Sequence, residues 1–342
     1  MTRTATCRYC DEPLHHLMCD LGLSPMANSY PKSEHFSLGQ KTYPLRVWVC
    51  EKCLLVQLEE FESPDQIFSD YAYFSSVSKG WVEHARRYAH MMIDRFGFDE
   101  KSLIVEVASN DGYLLQHFSS RGIPVLGIEP AANIAQHAMD EKGIETIVRF
   151  FGSQTARMLH SEGRSADLLI GNNVLAHVPD IKDFVRGVKI SLKPNGVFTF
   201  EFPHLMRLMD GNQFDTIYHE HFSYLSLLSV ERIFARYGLE IFDVEELSTH
   251  GGSLRIFGKH AGYESDVTRQ TGRVDALRER EKSFGLEKIE TYRSFAEKTN
   301  AVKRELLSFL IDAKSRHKSL VGYGAAAKGV TLMNFCGLGF DM

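Results

Sequence analysis

Clustered positive charge is missing from this sequence. Its 39 lysines and arginines face 44 aspartates and glutamates, for a net charge of −5. Neutralising a phosphate backbone needs concentrated cations, so a dedicated nucleic-acid binder is excluded. Long apolar runs are missing too. None approaches the roughly 18 residues that a membrane-spanning helix requires, so no membrane partner is expected. The opening stretch "MTRTATCRYC" has no apolar core of a secretory leader. No internal repeat or low-complexity tract is present. The expectation is therefore a cytoplasmic globular chain, in a compartment where thiols stay reduced.

That compartment bears on the six cysteines. Cys7 and Cys10 form one C-x-x-C, and Cys50 and Cys53 form a second. Four thiolates in two such knuckles suit a closed, tetrahedral structural zinc site, which leaves no position for substrate. Two pairs outside any βαβ pattern argue against redox use. Residues 1 to about 70 read as short strands and turns, with "YPLRVWVCEKCLLVQL" alternating around the second knuckle and "LGLSPMANSYP" forming a loop. So thin a core needs a metal staple, and residues 1–72 are expected to be a small zinc-binding domain. Cys19 and Cys336 read as packing residues.

A second region, 73–262, follows. The spacing of Trp81, Ala85, Tyr88 and Met92 predicts an amphipathic helix over 78–96. Apolar strands and helices then alternate. The strands are "LIVEV", "PVLGIEP", "DLLIGNNV" and "VFTFEFP", and a turn over "KPNG" precedes the last. Such an alternation predicts a parallel sheet covered on both faces. A helix and two strands joined at Thr249-His250-Gly251-Gly252 close the region with an antiparallel hairpin. The fold class is thus α/β, with a Rossmann-like layout expected of class I methyltransferases. Residues 263–342 read as a helical connection and the beginning of a C-terminal α/β domain, left incomplete at Met342. Tyr292, Phe295, Thr299, Val302, Leu306 and Leu310 make one helical stripe there, and "SLVGYGAAAKGVTLMNF" reads as strand, turn and helix.

The turn after the first parallel strand is Glu106-Val107-Ala108-Ser109-Asn110-Asp111-Gly112. Small residues at such a turn let a nucleoside approach the backbone. Only the last glycine of an acidic-x-Gly-x-Gly-x-Gly pattern is present, although Asn110 or Asp111 can take left-handed geometry. Glu129 ends the next strand 23 residues after Glu106, where a carboxylate can accept ribose hydroxyls. Asn172 and Asn173 end the third strand at the same carboxyl edge, with His177 nearby as a helix-capping candidate. Glu106, Ala108, Ser109, Asn110, Asp111, Gly112, Glu129, Asn172 and Asn173 are the candidate cofactor-binding residues.

The stretch Thr216 to Leu227, "TIYHEHFSYLSL", is the candidate for chemistry. It is not an H-E-x-x-H zinc motif, because Ser223 stands where the second histidine would be. Its residues alone allow an H-x-H metal pair, an acid–base site or a buried polar knot. They do not separate His219 from His221.

In combination, the paired knuckles, "YFSSVSKGW", "VEVASNDGYLL", "YHEHFSYLSL", "GGSLRIF" and "VGYGAAAKG" resemble the S-adenosylmethionine-dependent sugar C-methyltransferases. The resemblance covers most of the chain. It implies S-adenosylmethionine and structural zinc as cofactors and a nucleotide-linked keto-deoxysugar as substrate. It assigns His221 as the base, Glu220 as its orienter or an auxiliary acid, and Tyr218 as a polariser. The expected assembly is a monomer or weak dimer. Two alternatives stand beside it. Gly322-Tyr323-Gly324-Ala325-Ala326-Ala327, with Asp341 beyond it, matches a dinucleotide turn and would suit a nicotinamide-dependent sugar oxidoreductase. The sparse glycine motif would suit a non-catalytic binding scaffold.

Overall fold

The computed structural model describes residues 5–27, 33–35, 37–68, 73–324 and 327–339. In chain order its strands are β1 (His16–Ser24), β2 (Tyr43–Val49), β3 (Val56–Leu58), β4 (Ile104–Val107), β5 (Val125–Ile128) and β6 (Thr146–Ile147). They continue with β7 (Ala166–Asn172), β8 (Leu192–Pro203), β9 (Ser223–Tyr224), β10 (Leu239–Leu247) and β11 (Ser253–His260).

The larger sheet has the order β10-β11-β8-β7-β4-β5-β6. β4 pairs in parallel with both β5 and β7, so the strand order reverses there. In an open α/β sheet that reversal opens a crevice at the carboxyl ends of the strands, where ligands bind. Every residue of β4 is buried. Ile104 packs with Leu168 and Ile170 on one face, and Val105 and Val107 pack with Leu169 on the other. The hairpin closes the sheet in an inserted order, with β11 antiparallel to both β8 and β10. The architecture is therefore the expected Rossmann-like class I methyltransferase layout with a terminal antiparallel hairpin.

The smaller sheet has the order β1-β2-β3-β9. Its last strand belongs to the stretch flagged for chemistry, since Val56 pairs with Tyr224 and Gln57 with Ser223. One hydrophobic cluster runs from Cys7, Val47 and Leu55 to Phe198, Phe200 and Phe202 on the large sheet. Each buried phenylalanine of that row contributes about 1.5–3 kcal/mol, and together they join the cysteine-bearing sheet to the central one.

Some local expectations differ from the structure. The helix over Lys79–Phe96 forms as expected, capped by the Ser78 side chain and ended by Gly97 in the left-handed region. Leu21–Ser24, expected in a loop, instead extends β1, because a register shift between Asp20 and Leu23 returns the chain to pairing with β2. Asn28, Ser29, Tyr30 and Pro31 of that loop lie outside the described residues. The turn expected over Lys193–Gly196 is part of β8, which enters the sheet at Leu192 opposite Ala166 and shifts register before Val197. The long stripe breaks into Ile289–Arg293 and Phe295–Ser315. It buries Tyr292, Phe295 and Thr299 but leaves Val302, Leu306 and Leu310 half-buried. No strand forms at 319–323, where Val321 and Tyr323 are fully exposed and no neighbouring strand is present among the described residues to pair with. Ala325, Ala326 and Asp341 of the alternative dinucleotide turn lie outside the described residues.

Candidate active site

The turn after β4 adopts glycine-like backbone without the glycines. Ala108, Asn110 and Gly112 have φ of 54°, 49° and 72°, the alternate positions that the acidic-x-Gly-x-Gly-x-Gly pattern reserves for glycine. Asparagine tolerates this region through local hydrogen bonding, whereas alanine is strained there by about 1–2 kcal/mol. Gly127 on β5 faces this turn. A Cβ there would stand 2.5 Å from Ser109 Oγ.

The polar residues of the turn divide their work. The backbone N–H of Asn110 donates to Glu129 Oε2 at 3.0 Å, and the N–H of Ala131 donates to Glu129 Oε1 at 3.0 Å. The Asn110 side chain accepts from the Ser75 N–H at 2.8 Å and donates to the Tyr73 carbonyl at 3.0 Å. Asp111 Oδ2 accepts from the backbone and hydroxyl of Ser76, while Lys142 lies 3.4 Å from Oδ1. Asn110 and Asp111 thus strap the 73–76 segment across the mouth of the turn. Both oxygens of Glu106, Ser109 Oγ and both amide atoms of Asn172 are buried with no hydrogen-bond partner among the described residues. Burial, followed by the neighbouring Asp111 and Glu129 charges, holds the Glu106 carboxyl well above the ordinary range.

The "TIYHEHFSYLSL" stretch lies over the same edge. His221 Nδ1 is 2.9 Å from the Thr216 carbonyl, so Nδ1–H donates and the proton-free nitrogen is Nε2. Its ring stands 4.1 Å from Tyr218 and 4.7 Å from His177 between centroids. Burial, then the His177 charge, pushes the His221 imidazole well below the ordinary value. His219 points elsewhere. Its Nε2–H donates to Pro44 O on β2 at 3.2 Å, with Tyr43 and Phe61 edge-on to the ring. Glu220 is 2% exposed. Asn173, left-handed at φ 55°, donates its backbone N–H to Glu201 O at 2.7 Å and sets its amide 3.5 Å from His250.

Sequence reasoning missed three groups here. His177 does not cap the Ile181–Ser191 helix, a task Asp180 performs; it packs on His221 instead. His250, seen only as a turn residue, lies beside Asn173 and 5.5 Å from Trp81. A buried network of Glu201 with Arg255 (2.6 Å), His84 (3.0 Å) and Thr249 (3.0 Å) supports that turn from below. Their residue types carry no pattern in sequence because four separate segments supply them.

Residues 248–342 match the family model for a C-methyltransferase C-terminal domain, 81–244 that for a methyltransferase domain, and 7–68 that for a zinc binding domain. C-methyltransferase NovU of Streptomyces niveus is 35% identical over 333 residues, covering 97% of this chain and 78% of that protein. The chain belongs to the C-methyltransferase family. Ubiquinone biosynthesis O-methyltransferase of Azorhizobium caulinodans is 27% identical over 117 residues, 31% of this chain and 45% of that protein. Among solved structures, the PH0226 protein from Pyrococcus horikoshii OT3 has a TM-score of 0.45 at 16% identity, over 58% of this chain and 99% of that one.

This C-methyltransferase depends on S-adenosylmethionine, and its residues fit that group. Ala108 and Ser109 carry only small side chains at the turn, and Glu106, Ser109 and Asn172 hold unsatisfied polar atoms there. The structural zinc site of this C-methyltransferase is equally well matched. The sulfurs of Cys7, Cys10, Cys50 and Cys53 all lie within 4.8 Å of one another, against about 3.8 Å for a regular zinc–thiolate tetrahedron. The knuckles are built alike. Asp11 N–H donates to Cys7 O and Leu54 N–H to Cys50 O, both at 2.9 Å, with Asp11 and Leu54 both left-handed. Gln57 donates to Cys7 Sγ at 3.2 Å and is itself held by the Arg8 N–H at 2.9 Å. Such partners orient ligands and tune their charge. No helix among the described residues is long and apolar enough to cross a membrane.

Proposed function

We propose that this C-methyltransferase methylates a ring carbon of a nucleotide-linked keto-deoxysugar, with His221 as the base. The observation that carries the reading is the Thr216 carbonyl on His221 Nδ1, which leaves Nε2 to accept a proton. Carbon becomes nucleophilic once a proton alpha to a carbonyl is removed. His221 takes that proton, and the carbanion is held as an enolate whose oxygen needs a donor nearby. Tyr218, its ring tilted against His221 at 4.1 Å between centroids, is the polariser. Glu220, buried in the same turn, orients the site or serves as an auxiliary acid. Glu106, Ala108, Ser109, Asn110, Asp111, Gly112, Glu129, Asn172 and Asn173 form the cofactor crevice, with Asn110 and Asp111 acting through the strap they hold. S-adenosylmethionine supplies a methyl group as an electrophile on a sulfonium. His221 is half-buried, and the desolvation of its ring favours the neutral form that can accept a proton. The protein is proposed to work in the cytoplasm as a monomer or weak dimer.

The test is mass spectrometry of nucleotide-linked 4-keto-deoxysugars after incubation with the enzyme and S-adenosylmethionine. A gain of one methylene unit, placed on a ring carbon by fragmentation, supports the reading. A methyl group found on oxygen or nitrogen would sink the enolate mechanism.

A further inference from the structure

The C-terminal helix, Ala327–Cys336, docks on the loop that leads into the base. Phe335 meets Phe214 edge-on at 5.5 Å, and the Lys303 ammonium lies 4.7 Å over the Phe335 ring. Between these contacts Thr331, 1% exposed, donates its hydroxyl to the Ile217 carbonyl at 2.7 Å. Ile217 is fully buried and immediately precedes Tyr218. The carbonyl before it, on Thr216, is the acceptor for His221 Nδ1–H. Two consecutive carbonyls therefore carry two anchors, one orienting the imidazole and one tying the loop to a helix over a hundred residues away. A tight turn completes the unit, with His221 N–H donating to Tyr218 O at 3.0 Å.

We infer that Thr331 is a positioning residue for C-methylation, fixing through the Ile217 carbonyl the loop that holds His221 in its reactive tautomer. This rests on the proposed role of His221. A buried carbonyl that loses its donor is destabilised by about 1–3 kcal/mol, and the loop relieves it by rotating the peptide toward another donor. The Ile217 carbonyl sits on the Ile217–Tyr218 peptide, which adjoins the Thr216–Ile217 peptide at the Ile217 Cα, so that rotation loosens the loop on which the Thr216 oxygen holds Nδ1. Lys328 stands one turn before Thr331 on the same helical face. Its charge acts on both His221 and His250, favouring their neutral forms. The helix thus both braces the loop and supplies a cation beside it.

The test compares Thr331→Val, which removes the hydroxyl at nearly constant shape, with Thr331→Ser, which keeps it. Full-length, zinc-loaded protein is used, and the His221 imidazole resonances are assigned by their loss in His221→Asn. In Thr331→Val the single Nδ1–H tautomer signal is expected to give way to a mixture. The value of kcat should fall about 10- to 100-fold, with KM and the S-adenosylmethionine Kd held within about 3-fold, and Thr331→Ser should recover both properties. If Thr331→Val does not fold, Thr331→Ala takes its place. An unchanged tautomer signal would overturn the inference, as would a loss that serine does not restore or one that cofactor binding shares. Should the wild-type enzyme methylate no keto sugar, the functional reading falls separately, and the tautomer comparison still decides the brace.

Discussion

His221 Nδ1 stands 2.9 Å from the carbonyl oxygen of Thr216, five residues earlier. A carbonyl can only accept, so this contact fixes the tautomer and presents Nε2 as the basic nitrogen. His219, two residues away, spends its Nε2–H on Pro44 of β2. We expect His221→Asn to lower kcat by about 10²- to 10⁴-fold at unchanged cofactor affinity. His219→Ala should instead lower thermal stability, with the surviving folded enzyme turning over within a few-fold of wild type. Steady-state kinetics beside calorimetry separates the two, and equal kinetic losses would contradict the division of labour.

The histidines around the base should make the fold acid-sensitive. Burial pushes His177 down from its ordinary 6.5 to about 4. Below pH 6.5 the unfolded ring takes a proton that the folded one refuses. Its contribution is therefore complete above pH 6.5 and is lost as pH falls toward 4, by up to about 3 kcal/mol at 1.36 kcal/mol per unit. The groups facing it are His221, Phe68 and the Glu220 backbone. Urea denaturation at pH 7.5 and 5 should show a smaller stability difference for His177→Gln than for wild type. Equal differences would count against it. His221 is lowered in the same direction, so kcat should show no loss of base on passing down through pH 6.5.

Zinc removal should damage the catalytic stretch as well as the amino terminus. Ser223 and Tyr224 form the fourth strand of the cysteine-bearing sheet. Arg8 and Tyr9 of the first knuckle donate to Pro179 O and Arg232 O, each at 2.8 Å. Chelation, or Cys7→Ser, should release one zinc per chain by atomic absorption and lower the Tm. Fast amide exchange should spread over 16–58 and 216–225. Protection retained at 216–225 in the metal-free protein would show that the two regions are not coupled.

The turn after β4 offers a stability test with opposite signs. Ala108→Gly relieves a left-handed alanine and should stabilise by about 1 kcal/mol. Asn110→Gly relieves less strain and loses the side-chain bonds to Ser75 and Tyr73, so it should destabilise by about 1–2 kcal/mol. Chemical denaturation of both variants decides the matter. A stabilising Asn110→Gly would mean that the strap contributes nothing.

Local order is legible in the sequence by itself. Glu106 is the penultimate residue of β4 and Glu129 directly follows β5, both buried strands whose apolar runs announce them, and the paired C-x-x-C spacing announces a tetrahedral site. Periodicity and chelate spacing are short-range properties, complete within a few residues of chain. The alternation of strands and helices likewise determines the layers of the central sheet, because each apolar face must be covered by its neighbour. What required the folded chain was every choice between equivalent residues. His219 and His221 are chemically alike and two positions apart. One meets Pro44 and the other Thr216 because a tight turn, closed by the His221 N–H on Tyr218 O, separates them just before β9 joins β3. Asn110 stands in for glycine because Ser75 holds its side chain and the Glu129 carboxylate holds its backbone N–H from outside the turn. His177, His250 and Thr331 reach the site from separate segments, carried there by long-range packing, which leaves no spacing in the sequence to read.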